Sequence, residues 1–326
     1  MFDIITFGSA SQDIYLKSGK FIPILNKKFT TGKAVCLDFG SKNEVDEVFL
    51  STGGGGTNAA ATFALQGLKT AYCGKLGADL ASESIISELK KFGICTDFIL
   101  KDKNFSTNIS VILTGFGNER TILVYRGASD NLGKKDIPWQ KIKNAKWFYF
   151  APFSGKLAEN TQELIDFAKK NGIFIAFNPG YAQLNFKTDL LKRILQKIDI
   201  LILNQEEAAH LTKIPYKKET EIFKKIDKLT KGIVIMTKGA EGATVSDGKY
   251  IYFAKPLDVK VAEKTGAGDA FGSGFVSGII EKNDLVYAIQ LAVANSAANI
   301  TEIGAKTGLL RRGQKWEKVK VKINKI

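Results

Sequence analysis

The 326-residue sequence predicts an α/β fold with a mainly parallel sheet and a small β lid inserted in its N-terminal half. Strand-like and helix-like periods alternate over most of the length, which is typical of such a fold. Residues 14–52 and 97–128 break this rhythm, because they show alternating strand patterns with no helix between them. We therefore predict a large domain of residues 1–13, 53–96 and 129–326, and an antiparallel lid built from the other two segments.

Six apolar segments predict the buried strands of the large domain, at residues 3–8, 70–77, 146–151, 173–180, 199–204 and 232–239. Four amphipathic segments between them predict helices: TNAAATFALQG, ASESIISELKKFG, AENTQELIDFAKKNG and ETEIFKKIDKLTKG. Each of these ends in glycine, the usual helix stop.

The composition favours a soluble globular protein, since 44% apolar residues are enough to build a large core. No apolar run approaches the ~20 residues of a membrane span, and the opening MFDIITFG resembles a strand, not a signal peptide. Cys36, Cys73 and Cys95 lack C-x-x-C spacing, so neither a disulfide framework nor a zinc site is indicated. We expect a protein of the reducing cytoplasm without a membrane partner.

The formal net charge of +14 raises the question of a polyanionic partner. The basic residues are mostly lysines scattered singly or in pairs, without the arginine and aromatic interleaving of a nucleic-acid groove. We predict a solvated lysine-rich surface, no nucleic-acid partner, and compatibility with small anions such as phosphates. The alternative, a nucleic-acid-binding protein, would bind polyanions with a steep salt dependence.

A first glycine motif, Gly53–Gly56, precedes Thr57, Asn58 and an alanine-rich helix. A backbone without side chains at a helix start lets a polar ligand reach main-chain N–H groups. Asn58 can offer its amide to a hydroxyl group. The alternative is a flexible turn capped by Thr57.

A second glycine motif is the stretch EKTGAGDAFGSGF, Glu263–Phe275. Its N–H groups over Thr265–Gly268 should form a nest for an anion at the start of a helix. Asp269 would then lie in the first helical turn, beside that anion. Alternatively, Asp269 only complements the helix dipole.

Further glycines at 272, 274 and 278 continue into the same helix. Each costs ~1 kcal/mol relative to alanine in a helix interior. We expect them to offset that cost by letting the helix pack closely against its neighbours or a ligand.

Together the two motifs resemble those of the ribokinase family, the PfkB carbohydrate kinases: GGGGTNAAA is similar to its N-terminal glycine signature and TGAGDAFGSGF to its C-terminal one. The resemblance runs from FGSASQD to IGAKTG and includes the lid. It implies a ribokinase-like three-layer α/β/α domain and an ATP-dependent, Mg²⁺-requiring kinase that phosphorylates a primary hydroxyl of a small sugar or sugar acid. Neither a Walker A loop nor a G-x-G-x-x-G after the first strand is present.

The resemblance implies that Asp269 accepts the proton of the substrate hydroxyl. It also implies that the amides of Gly266, Ala267 and Gly268 stabilise the transferring phosphoryl group. A weak base suffices, because phosphoryl transfer has a loose transition state that demands positioning and charge stabilisation. For the sugar hydroxyls the resemblance implies Asp13 in GSASQD, acting with Gly54, Gly55 and Asn58. A lone Asp after a strand is otherwise a turn former.

Nucleotide roles follow from the same resemblance. Asn204 and Glu207 match an N-x-x-E element that organises Mg²⁺ and phosphates, largely through water. They also form a capping-box pattern for the next helix, and both functions can hold at once. Thr237 and Gly239 match a T-x-G that lines the phosphates, and Asn295 lies where a late helix approaches the adenine.

One departure concerns the family's D-T-T-G-A-G-D, where this chain has Glu263, Lys264 and Thr265. Glu263 and Thr265 are candidate ligands of a monovalent cation such as K⁺, with the lysine adding a charge beside them. The glycine quartet also differs from the G-G-K-G of ribokinase, so the motif gives weaker support to ribose as the substrate. His210 is predicted to be a surface residue without a role.

Alternatives to a sugar kinase remain. A nucleoside kinase of the same fold would present apolar lid residues to a base, and the lid offers Phe21, Ile22, Phe39, Phe116 and Tyr125. A sugar or nucleotide sensor without catalysis is a third possibility, which an intact Asp269 disfavours. A homodimer through the lid is expected, because family lids often pair and exposed sheet edges favour pairing.

Overall fold

The computed structural model describes residues 1–29, 32–115 and 120–325. Phe116, one of the predicted lid residues, lies outside them. Within the described ranges the strands are β1 (Ile4–Phe7), β2 (Ser11–Lys17), β3 (Ile22–Leu25), β4 (Lys33–Cys36), β5 (Glu47–Gly53), β6 (Thr70–Gly77), β7 (Cys95–Asp102), β8 (Asn108–Thr114), β9 (Thr121–Tyr125), β10 (Trp147–Phe150), β11 (Phe174–Phe177), β12 (Ile200–Asn204), β13 (Ile233–Thr237), β14 (Ala243–Ser246), β15 (Tyr250–Ala254) and β16 (Val321–Lys325).

Helices alternate with these strands. They are α1 (Gly55–Leu65), α2 (Leu80–Lys91), α3 (Trp139–Ile142), α4 (Gly155–Glu159), α5 (Thr161–Lys170), α6 (Tyr181–Leu184), α7 (Thr188–Leu195), α8 (Gln205–Thr212), α9 (Glu219–Ile226), α10 (Ala267–Lys282) and α11 (Leu285–Asn299). Short 3₁₀ helices lie at Ala128–Asn131, Lys134–Asp136 and Gly239–Glu241. No helix in these ranges has the length and apolar character needed to cross a bilayer.

The large sheet runs in the order β16-β15-β14-β13-β12-β11-β10-β1-β6-β7. The strands from β13 to β7 in that order pair in parallel, and all six predicted strands lie among them. β14, β15 and β16 extend the sheet in antiparallel fashion. The predicted, mainly parallel α/β sheet is therefore present.

Two cores cover the two faces of this sheet, because side chains alternate along each strand. On β12, Leu201 and Leu203 join the core under α3 to α9, whereas Ile200 and Ile202 join the core under α1, α10 and α11. The strands read as continuous apolar runs because both faces are buried. This is the three-layer arrangement expected from the sequence.

The glycines of α10 allow the close packing that the sequence predicted. A Cβ on Gly278 would lie 2.6 Å from the Cα of Ala288 in α11, and one on Gly274 would lie 3.2 Å from the Cα of Ala292. A Cβ on Gly272 would lie 2.8 Å from the hydroxyl of Tyr149 in β10. Glycine thus brings α10 close to both α11 and the sheet.

The lid is a second sheet of four strands in the order β5-β2-β8-β9, with β3 and β4 as a separate hairpin. Two of its pairings are antiparallel, but β2 and β8 pair in parallel, unlike the purely antiparallel lid that the pattern suggested. The boundaries also differ from the predicted ones. Residues 97–102 belong to β7 in the large sheet, and β2 already begins at Ser11, so Asp13 lies on a lid strand.

Candidate active site

The two glycine motifs meet at the carboxyl edge of the parallel strands. A Cβ on Gly8, after β1, would lie 2.8 Å from the Cβ of Ala151, after β10, and 2.9 Å from the N of Gly56 in α1. A Cβ on Gly55 would lie 3.3 Å from Oδ1 of Asp269 in α10. The first turns of α1 and α10 therefore lie side by side at the edge where open α/β sheets bind ligands.

Asn58 and Asp269 are joined directly. Nδ2 of Asn58 donates a hydrogen bond of 2.9 Å to Oδ2 of Asp269. Oδ1 of Asn58 is buried and has no hydrogen-bond partner within the described residues. A buried polar atom of this kind calls for a partner, and a ligand hydroxyl could donate to it.

The N-terminus of α10 is open. Gly266 has a φ of +87°, and a Cβ there would lie 2.7 Å from the carbonyl oxygen of Ala305, so glycine is required. The N–H of Ala267 donates to Lys264 over 3.3 Å, whereas those of Gly266, Gly268 and Asp269 find no acceptor in the described part of the chain. A Cβ on Gly268 would meet nothing within 4 Å. Three free N–H groups at a helix start suit an anion, although they include that of Asp269 in place of Ala267.

Asp13 lies on β2 and is only 3% exposed. Its Oδ1 accepts a hydrogen bond of 2.7 Å from the hydroxyl of Ser11. A Cβ on Gly53 would lie 1.9 Å from Oδ2 of Asp13, so the first glycine of the quartet makes room for this carboxylate. Gly54 has a φ of +99°, and a Cβ there would lie 2.4 Å from the carbonyl oxygen of Ser9.

Both acids are less acidic than usual. Burial raises the pKa of Asp269, against the hydrogen bond from Asn58 and the charge of Lys306, while the charge of Asp13 raises it further. Burial also raises the pKa of Asp13, against the Ser11 hydrogen bond and Lys306. A carboxylate with a raised pKa is a better proton acceptor near neutral pH.

Lys306, whose charge acts on both acids, is a buried residue that the sequence prediction did not name. Its side chain is 3% exposed. Nζ donates to the carbonyl oxygen of Thr52 at 2.7 Å and to Oγ1 of Thr52, and it forms an ion pair with Oε2 of Glu88 at 2.9 Å. The resemblance ends at IGAKTG, which contains this lysine. Among 47 basic residues, nothing in the sequence marks this one as buried.

On the nucleotide side, the strands bring Asn204 and Thr237 together as register partners at the ends of β12 and β13. Asn204 and Glu207 form a capping box: each side chain accepts the other residue's N–H at 2.8 Å. Glu207 uses Oε2 for this, which leaves Oε1 without a donor in the described residues. Gly239 has a φ of +54° and open space around its Cα.

The predicted adenine contact of Asn295 is not supported by its position. The side chain is fully buried; Nδ2 donates to the carbonyl oxygen of Ala270 at 2.8 Å and contacts Thr62, and Oδ1 accepts from the N–H of Leu310 at 2.9 Å. Asn295 therefore ties α11 to α10 and to the C-terminal segment, and we remove it from the candidate site.

Glu263 and Thr265 bind each other. The carboxylate of Glu263 accepts the N–H of Thr265 at 2.8 Å and its hydroxyl at 2.6 Å. Arg120 of the lid lies 3.8 Å from Oε1 of Glu263. Because both carboxylate oxygens are engaged beside a fixed positive charge, the pair is a poor ligand set for a monovalent cation.

His210 is partly buried at the end of α8, where its Nε2 lies 2.9 Å from Oδ1 of Asn185. It lies on α8, away from the two glycine motifs.

A carboxylate beside a helix start with unbonded N–H groups, at the edge of a parallel sheet, could serve the transfer of a group from an anionic donor. A model of the pfkB family carbohydrate kinases matches residues 1–311. The chain belongs to this family. It is a phosphotransferase with an alcohol group as acceptor, a sugar or nucleoside kinase, and kinases of the ribokinase family use ATP. The sensor alternative is therefore set aside.

Curated relatives differ in substrate. An ATP-dependent 6-phosphofructokinase of Thermoanaerobacterium thermosaccharolyticum is 28% identical over 83% of this chain and 85% of that protein. An adenosine kinase of Saccharomyces cerevisiae is 28% identical over 84% of this chain and 85% of that one. A ribokinase of Arabidopsis thaliana, solved with ribose and ATP, superposes with a TM-score of 0.79 at 21% identity, covering 95% and 96% of the two chains. This likeness confirms the ribokinase-like fold.

Proposed function

We propose that this kinase transfers the γ-phosphoryl group of ATP to a primary hydroxyl of a small sugar or sugar acid, with Asp269 as the proton acceptor. The observation that carries the proposal is the meeting of Asn58, Asp269 and the free N–H groups of α10 at one place. The substrate oxygen forms a bond to the γ-phosphorus while the bond from that phosphorus to the β,γ-bridging oxygen breaks. The hydroxyl proton passes to Asp269, and ADP leaves.

The acceptor side consists of groups that are buried but available. Asp13 and Oδ1 of Asn58 would accept hydrogen bonds from substrate hydroxyls, and the backbone of Gly54 and Gly55 would border them. These groups lie between the lid strand β2 and the start of α1, so a small polyol would lie under the lid. Lid closure would exclude water from the phosphoryl group.

The donor side consists of the amides of Gly266, Gly268 and Asp269 together with Asn204, Thr237 and Gly239. Bound Mg²⁺ would be held through Oε1 of Glu207, in part by water, and would neutralise charge on the phosphates. We leave K⁺ at Glu263 and Thr265 out of the proposal, because the carboxylate of Glu263 already accepts hydrogen bonds from the N–H and the hydroxyl of Thr265. Turnover should then be equal in potassium and sodium salts.

A nucleoside is the second candidate acceptor, favoured by apolar lid residues that stay exposed. Ile22 is 63% and Tyr125 is 47% exposed, and Phe39 is fully exposed, whereas Phe21 is buried and cannot meet a base. The yeast relative named adenosine kinase adds weight to this candidate.

The test is one coupled ADP-release assay across pentoses, hexoses, hexose phosphates, keto-deoxy sugar acids and nucleosides. A sugar or sugar acid with the highest kcat/KM supports the first proposal, and a nucleoside supports the second. ADP release that no acceptor stimulates contradicts both.

We further propose that the protein dimerises through the lid. All five residues of β9 are exposed, including Leu123 and Val124 at more than half of their surface. Paired lids would cover this apolar strand. Light scattering should give twice the chain mass, and a Leu123→Lys/Val124→Lys variant should be a monomer; a wild-type monomer would contradict the proposal.

A further inference from the structure

The buried ammonium group of Lys306 belongs to none of the roles proposed above. Three separate segments meet at it: the end of β5 through Thr52, the helix α2 through Glu88, and the loop that follows α11. The loop is held in place, because Nδ2 of Asn299 donates to the carbonyl oxygens of Gly304 at 3.3 Å and Thr307 at 3.0 Å. The position of Lys306 is therefore fixed from both sides.

The contacts of Lys306 also favour its charged form. Nζ donates hydrogen bonds to two oxygens of Thr52 and forms an ion pair with Oε2 of Glu88 at 2.9 Å. Oγ1 of Thr52 donates its own proton to Glu88, so it accepts from the lysine. Lys306 is thus a charged group in the interior, although burial lowers its pKa, which Glu88, Asp13 and Asp269 oppose.

The anchored strand end leads directly to the acceptor site. Thr52 precedes Gly53, whose Cα leaves the space that Oδ2 of Asp13 occupies, and Ser51 is the register partner of Asp13. The same loop reaches the donor site, since Ala305 packs against the left-handed Gly266. Lys306 therefore lies behind both the acceptor-binding acid and the start of α10, held by Thr52 and Glu88.

We infer that Lys306 is a positioning residue of the transfer site: it fixes the end of β5 behind Asp13, and its fixed positive charge offsets the negative charges of Asp13 and Asp269. This inference rests on the proposed function of those two acids. The charged groups that act on Asp269 are Lys306 and Asp13, and those that act on Asp13 are Lys306 and Glu263. Arg120, 3.8 Å from Glu263, is a further positive charge of this cluster. Removing the lysine charge removes the positive charge that acts on both acids, so their pKa values should rise.

The test is the pH profile of kcat/KM in Lys306→Met, measured with the acceptor that gives the fastest ADP release in the substrate panel. Turnover requires ionised acids, so the acid limb should move to higher pH. The expected shift is on the order of 1 pH unit, as for a unit charge within about 10 Å at an effective dielectric constant of about 20. Lys306→Arg should keep the acid limb of the wild type.

Lys75→Met is the matched control. Lys75 is also poorly exposed and binds two carboxylates, Asp102 and Asp136, each at 3.1 Å, but it does not act on either site acid. It should lose thermal stability and keep the wild-type acid limb. If Lys306→Met cannot be purified, the Glu88→Gln/Lys306→Met double variant removes the charge pair together and should show the same shift.

A Lys306→Met or double variant with lower thermal stability and an unmoved acid limb would overturn the inference and leave the lysine a structural residue. Asp269→Asn, measured alongside, separates this result from a failure of the proposed function. If Asp269→Asn keeps its turnover, the assigned proton acceptor is wrong. If it loses turnover while the acid limb of Lys306→Met stays in place, only the inference about Lys306 fails.

Discussion

The N-termini of α8 and α10 lie at the same edge of the sheet, but one is closed by side chains and the other is open. At α8, Asn204 and Glu207 each accept the other's N–H. At α10, the residue before the helix is Gly266, which has no side chain to cap it, and the N–H groups of Gly268 and Asp269 have no acceptor within the described residues. The first arrangement satisfies the N–H groups at the start of the helix. The second leaves such groups available to a ligand.

The difference shows how to separate structural from functional helix starts. A capping box satisfies the orphan N–H groups, so its residues stabilise the helix whatever else they do. A start of glycine and alanine forgoes that stabilisation, and it is expected where an anion must approach the backbone. Changes at α10 should therefore reduce turnover first, and changes at α8 should reduce stability first.

The largest effect is expected for Asp269→Asn. This change keeps the size of the side chain but removes the proton-accepting charge, so turnover should fall at least ~100-fold. ATP affinity should hold, because the open amides are untouched and a negative charge has gone. Turnover, ATP affinity and the thermal midpoint are measured on the same variant. Intact turnover with a stability loss of only ~0.3–1 kcal/mol would mean that Asp269 merely complements the helix dipole.

Asp13→Ala should weaken acceptor binding by about 1–3 kcal/mol, the cost of a lost hydrogen bond in a buried site. ATP affinity should stay close to that of the wild type, because Asp13 lies on the lid side. Asn58→Ala should raise KM and also lower kcat, since Nδ2 of Asn58 orients Asp269. Steady-state kinetics with both substrates varied measure the two effects. An unchanged acceptor KM in Asp13→Ala would remove this residue from the site.

Much of the fold could be predicted because its central strands are buried on both faces. Ile200–Asn204 and its neighbours read as continuous apolar runs, a strong signal for a parallel sheet. The sequence pattern places residues 97–102 in the lid, although they belong to β7, the edge strand of the large sheet. Its mixed pattern of exposed and buried side chains is what a lid strand would also show. A pattern of exposure cannot tell which of two sheets an edge strand joins.

The sequence could predict those parts of the candidate site that depend on the backbone. Glycine clusters before Asn58 and Asp269 leave the main chain bare at two helix starts, which favours close approach of a ligand, and the structure joins these two side chains directly. The sequence neither singles out Lys306 nor predicts the packing of Asn295, because burial of a single polar side chain depends on which distant segments pack around it. Asn295 is surrounded by Thr62, Ala270 and Leu310, and no local pattern in the sequence relates these residues.

Two glycines at the start of α10, Gly266 and Gly268, allow a matched pair of alanine substitutions. Gly266→Ala places a side chain at a φ of +87° and near Ala305, so it should cost at least about 1–2 kcal/mol of stability. Gly268→Ala adds a methyl group in open space, so stability should be kept while ATP affinity falls, because the methyl borders the nest. Thermal unfolding and ATP titration of both variants measure this contrast. Unchanged ATP affinity in Gly268→Ala would argue against an anion at this helix start.

The smallest effects are expected at α8, and they separate capping from metal binding. Asn204→Ala removes the acceptor for the N–H of Glu207 and should lower the free energy of unfolding by about 0.5–2 kcal/mol. Glu207→Gln keeps an amide oxygen for the N–H of Asn204 but removes the charge, so stability should be nearly unchanged. If Oε1 of Glu207 faces Mg²⁺, this variant needs more Mg²⁺ for half-maximal turnover, whereas Asn204→Ala needs about the wild-type amount once it is folded. Equal Mg²⁺ requirements in the wild type and Glu207→Gln would show that the N-x-x-E element serves only as a cap.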